Sequence, residues 1–67
     1  MKATELREFT DRELEMKEAE LREELFHLRI KKKMGELEDV TKIKKVKRDI
    51  ARILTILNER KRKGERK

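Results

Sequence analysis

The chain contains no cysteine, proline, serine, tyrosine or tryptophan, only two glycines, and two phenylalanines as its whole aromatic complement. Without cysteine there can be neither a disulfide nor a thiolate metal site, a composition that suits a reducing compartment. Serine, tyrosine and cysteine are all missing and His27 is the single histidine, so a nucleophile, a base and an orienting group are hard to assemble. No catalytic residue is assigned. Glu24-x-x-His27 matches the helical motif of di-iron bundles, but such sites draw on four helices and two copies of that motif. No metal and no cofactor is expected. Neither glycine sits in a phosphate-cradling loop. No apolar run approaches the ~20 residues of a membrane span and the acidic N-terminal stretch is unlike a signal peptide, so the expectation is a soluble, intracellular chain with no membrane partner.

What is abundant is charge. Of the 67 residues, 54% are Asp, Glu, Lys or Arg and 34% are hydrophobic, with a net charge of +6. Residues up to Ile30 hold six of the 21 basic and nine of the 15 acidic side chains, whereas the rest of the chain holds fifteen and six. The two parts therefore carry about −3 and +9, an asymmetry that favours a polyanion facing the second. The apolar content is too small for a globular interior but enough for one seam between two helices, and the wealth of Glu, Lys, Arg and Leu favours helix throughout.

The expected fold is all-α: an antiparallel two-helix hairpin preceded by a short lead-in, forming one domain over 1–67. Thr10-Asp11-Arg12-Glu13 has the form of a capping box and starts a helix over 11–34. Leu14, Leu21, Leu25 and Leu28 recur on one face, Lys31, Lys32 and Lys33 suit the negative end of the helix dipole, and Gly35 supplies the stop. A connection over 36–39 leads to a second helix over 40–60, with Ile43, Val46, Ile50, Ile53 and Leu57 as its seam and Leu54 at the margin. Leu28 is expected opposite Val46, Leu25 near Ile50 and Leu21 near Ile53. Residues 61–67 form a basic tail expected to be flexible without a partner.

Two faces remain. On the second helix, Lys44, Arg48, Ala51, Arg52, Thr55 and Arg62 point away from the seam. Small residues interleaved with arginine let a phosphate backbone approach closely while guanidinium groups grip its oxygens, although a solvated charged face has the same composition. On the first helix Met16, Ala19, Phe26, Ile30 and Met34 make a second apolar stripe, which a two-layer hairpin does not need. It marks either another contact or scattered surface residues. A basic-zipper arrangement is disfavoured, because the cations interleave with the seam and Gly35 interrupts a continuous helix.

Four segments carry a resemblance: Leu6-Arg7-Glu8, Phe26-His27-Leu28-Arg29, Met34-Gly35-Glu36-Leu37, and Lys47-Arg48-Asp49-Ile50-Ala51-Arg52-Ile53-Leu54-Thr55. In order and spacing the chain resembles the family of the large-subunit ribosomal protein numbered twenty-nine, across nearly its whole length. It departs in having His27 and Glu36 where Asn and Gln are common, and Lys31 to Lys33 in place of a less basic stretch. The caps and apolar ladders predict a monomer in isolation, and the resemblance implies a non-enzymatic helical hairpin. It implies a cytoplasmic, ribosome-bound protein that binds large-subunit ribosomal RNA near the exit of the peptide tunnel. The implied neighbours are the ribosomal protein numbered twenty-three and nascent-chain factors. On that reading Arg48 and Arg52 contact phosphates, Arg29, Lys44 and Lys47 supplement them, and Thr55 donates from its hydroxyl. Phe26, Ile30 and Met34 are assigned to a protein contact. The alternative is a helical protein-interaction module that self-associates or docks a partner through the same three residues.

Overall fold

The computed structural model describes residues 2–65. They form three helices, α1 (Ala3–Leu6), α2 (Asp11–Lys33) and α3 (Thr41–Glu65), with no strand among the described residues. α2 and α3 pack along their length as the two arms of a hairpin about 50 Å long.

The start of α2 is fixed by reciprocal hydrogen bonds. The Thr10 backbone N–H donates to a Glu13 carboxylate oxygen at 3.1 Å, and the Glu13 N–H donates to the Thr10 hydroxyl oxygen at 3.2 Å. Phe9 stands just before this cap and packs, partly buried, against the cluster that contains Leu14, the two positions that a hydrophobic staple joins. At the other end Gly35 takes φ +73°, its N–H donates to the Lys32 carbonyl, and the Glu36 N–H donates to the Lys31 carbonyl. That pair of bonds is a Schellman motif, and the left-handed φ is why glycine stands there. Asp39 then caps α3, its carboxylate accepting from the Thr41 N–H at 3.0 Å and from the Thr41 hydroxyl.

Both capping carboxyls are held below their ordinary range. For Glu13 the cause is the Thr10 backbone N–H and then its hydroxyl; for Asp39 it is the Thr41 hydroxyl, then the Thr41 N–H, with Lys42 adding to the effect. A carboxyl with a depressed folded-state pKa contributes stability that is present above its unfolded value, near 4, and is lost as pH falls through the folded value. Thermal melts followed by circular dichroism should therefore show a lower Tm at about pH 3 than at about pH 6. Thr10→Val combined with Thr41→Val should lower Tm at about pH 6 and make its fall toward about pH 3 shallower; an unchanged fall would locate the acid sensitivity elsewhere.

The core is a single seam: Leu14, Leu21 and Leu28 from α2 against Ile43, Val46, Ile50, Ile53 and Ile56 from α3, joined by Leu6 from α1. It differs from the sequence-based expectation in four respects. Leu25 and Leu57 sit at its edge, partly buried, and Ile56 takes the place expected of Leu57. Leu21 lines a cleft with Val46 and Asp49 and shares the core cluster with Ile53. The connection runs over 34–40, where 36–39 was expected. The lead-in is also part of the core, because Leu6 is only 1% exposed.

The fourth difference concerns the tail. α3 continues to Glu65, where a flexible tail from residue 61 was expected. Lys61 and Arg62 are good helix formers placed where the helix dipole favours cations, and Gly64 falls only in the last turn, where its cost is smallest. Residues 66 and 67 of the expected tail lie outside the described residues. Arg60 ties this end of α3 to the lead-in: its guanidinium donates to the Asp11 carboxylate at 2.7 Å and to the Arg7 carbonyl at 3.0 Å, and Arg7 pairs with Glu59 at 3.6 Å.

Candidate nucleic-acid interface

Because α3 buries one face in the seam, the side chains opposite are held outward by its helical period. Lys44, Arg48, Arg52 and Thr55 follow one another at steps of four, four and three and are all exposed, forming a ridge roughly 16 Å long. Arg62, likewise exposed, extends the ridge because the helix runs on past Arg60. Ala51 keeps the surface between the cations low.

Lys47 and Arg29 do not stand on the ridge. Glu20, Glu24 and Lys31 of α2 share one edge of the hairpin with Lys42, Lys45 and Asp49 of α3. At about 100° per residue, Arg29 and Lys47 fall on the other edge, both exposed. Both edges mix the two signs: on the second, Glu18 and Arg22 pair at 2.6 Å along α2 before Arg29, while α3 contributes Lys47.

Two groups on the ridge are already engaged. The Thr55 hydroxyl donates to the Ala51 carbonyl at 2.8 Å, so the oxygen it presents outward is an acceptor, not the donor expected from sequence. Arg52 lies 3.8 Å from the Asp49 carboxylate one turn earlier. Asp49 is the one charged residue of the buried set, 7% exposed among the described residues, and it is the residue the sequence reading passed over. Its signal was present: it is the lone acid between Lys42 and Arg52, at the i,i+3 spacing that pairs charges on a helix.

The other candidate residues lie on the far side of the molecule. Phe26, Ile30 and Met34 are 61%, 40% and 65% exposed on the outward face of α2, with Met16 at 59% on the same face. His27, exposed beside them, lies 3.8 Å from Glu23 and packs edge-on to the Phe26 ring with centroids 5.9 Å apart. Among the described residues no group of His, Asp and Glu is placed to hold a metal ion, and no helix is long and apolar enough to cross a membrane.

Fold and surface together define a class: small, basic helical hairpins with an exposed cationic ridge on one arm. The family described as Ribosomal L29 protein matches residues 4–60, from the lead-in to the Arg60 clasp, and the chain belongs to that family. Among its relatives is the "Large ribosomal subunit protein uL29" of Thermodesulfovibrio yellowstonii, 60% identical over 60 residues that cover 90% of this chain and 83% of the relative. The proteins of the same name from Natranaerobius thermophilus and Persephonella marina are 55% and 57% identical, again over 90% of this chain and over 92% and 88% of their own lengths.

Proposed function

We propose that this chain is a structural constituent of the large ribosomal subunit, cytoplasmic as part of the ribosome and without enzymatic activity. In this reading it holds ribosomal RNA through the outward ridge of α3. The family supports the ribosomal role, and the observation that carries the RNA reading is the ridge itself. Lys44, Arg48 and Arg52 repeat along one exposed face, with Ala51 between them leaving room for a phosphate backbone. Arg29 and Lys47 add charge from the adjoining edge, and Thr55 offers an acceptor to a ribose 2′-hydroxyl. With two aromatic residues in the chain, and Phe9 packed on the core, recognition rests on phosphates and RNA shape and not on stacking of unpaired bases.

The finer placement follows the family: a site near the exit of the peptide tunnel, beside the ribosomal protein numbered twenty-three and within reach of nascent-chain factors. The protein-interaction reading keeps a specific observation in its favour, the exposed stripe of Phe26, Ile30 and Met34. The two readings use opposite faces and are compatible. Titration of the chain with large-subunit ribosomal RNA across a salt series tests the RNA reading: each phosphate contact contributes a slope of roughly −0.7 to −0.9 in log K against log salt, so three to five contacts predict a slope of about −2 to −4.5. A salt-independent affinity would remove the ridge from the account.

A further inference from the structure

We propose that two copies of this chain pair antiparallel through the outward face of α2, covering the Met16, Phe26, Ile30 and Met34 stripe of each. The stripe is unpartnered in the single chain, with those side chains 40–65% exposed, and it lies on the opposite side of the hairpin from the basic ridge of α3. What selects a second copy as its occupant is the charge on either flank of the stripe.

At about 100° per residue, Glu15 and Lys33 fall on one flank of the stripe and Glu20 and Lys31 on the other, all four exposed. Beside its apolar stripe α2 carries Glu15 and Glu20 toward the N-terminal end and Lys31 and Lys33 toward the C-terminal end, with Arg12 on the stripe one turn before Met16. In an antiparallel two-fold pair each flank meets the same flank of its partner, running the other way. Met16 then comes level with the partner's Met34, Glu15 meets the partner's Lys33, and Glu20 meets the partner's Lys31. Two-fold symmetry makes every one of these contacts twice. Glu23, the acid that interrupts the stripe near its midpoint, faces the partner's His27 across the axis. A parallel pair would instead set Glu15 against glutamate and Lys33 against lysine, so the charges specify direction as well as affinity.

Four partly exposed apolar side chains per copy place the interface at or below the lower end of the range for specific complexes, about 1,200 Å² in total. Association is accordingly weak, and a monomer in isolation is the state at low concentration only. Because it uses α2, the pair leaves the α3 ridge open.

Sedimentation equilibrium of the RNA-free chain from about 10 μM to 1 mM, at about 50 mM and 500 mM salt, tests this, with a dimer expected at the top of the range in low salt and at least tenfold weaker in high salt. Phe26→Glu should reduce dimerisation by at least tenfold, roughly 1.4 kcal/mol. Glu15→Lys with Glu20→Lys should abolish it, and adding Lys31→Glu and Lys33→Glu to that variant should restore it, with circular dichroism reporting unchanged helix in each. A monomer at every concentration, or a dimer indifferent to both Phe26→Glu and the charge reversal, would overturn the proposal. So would a loss of RNA affinity in Phe26→Glu, which would give the stripe to RNA.

Discussion

Arg48→Ala combined with Arg52→Ala is expected to weaken binding to large-subunit ribosomal RNA by about ten- to hundredfold near physiological salt, from roughly 0.7–1.4 kcal/mol per lost phosphate contact. Both side chains stand on the outward ridge of α3, so the helix should persist, with the loss of Arg52 from beside the buried Asp49 costing some stability. The salt series gives a sharper signature than the affinity alone. Two lost contacts should flatten the slope of log K against log salt by about 1.4–1.8, because the counterions those phosphates held are no longer released. Arg48→Lys with Arg52→Lys should keep most of the slope while losing affinity, since lysine supplies the charge without the bidentate fork. An unchanged slope in the double alanine variant would place the RNA contacts on another face.

The second large effect concerns stability. Ile53 is fully buried at the centre of the seam, and truncating a buried isoleucine to alanine costs about 2–5 kcal/mol. A domain of this size rarely has more than about 3–5 kcal/mol in total, so Ile53→Ala should leave the isolated chain substantially unfolded at room temperature, read as lost ellipticity at 222 nm. Phe26→Gln with Ile30→Gln should behave in the opposite way. Those side chains are largely exposed in the single chain, so at low protein concentration the melting temperature should move by no more than a few degrees. If the Phe26 and Ile30 changes unfolded the chain as readily as Ile53→Ala, the α2 stripe would be core, and both its exposure and its role as a docking face would be wrong.

Much of this architecture was legible because the decisive signals are local. Thr10 and Glu13 lie three residues apart and answer each other's backbone donors, and Gly35 stands where only a left-handed residue closes the helix, so both limits of α2 could be read directly. The leucine and isoleucine spacing likewise gave the seam. What could not be read depends on how the arms meet. Whether Ile56 or Leu57 turns inward is settled by how the second arm is rotated about its axis where it meets the first, since adjacent residues lie about 100° apart. Leu6 was missed because a four-residue helix has no periodicity of its own; it is buried in a cluster whose other members come from α2 and α3.

The candidate interface divides in the same way. Helical period alone sets Lys44, Arg48 and Arg52 outward together, so the ridge needed nothing beyond the sequence. The state of the groups on it did need the fold. Thr55 spends its proton on the Ala51 carbonyl, and Asp49, an acid in a strongly basic segment, is buried at the edge of the seam within reach of Arg52. Residues that face outward announce themselves through charge and spacing, whereas a buried polar residue becomes visible only once its neighbours are in place.

The most direct test of the central claim uses the absence of native cysteine. A single cysteine can be placed at Ala51 on the α3 ridge, or at Glu23 on the outward face of α2, and each labelled with a short photoreactive group. Each chain is then assembled into large subunits and irradiated. RNA binding through the α3 ridge predicts crosslinks to ribosomal RNA from position 51, and none or only protein crosslinks from position 23. RNA crosslinks from position 23 together with none from position 51 would contradict it.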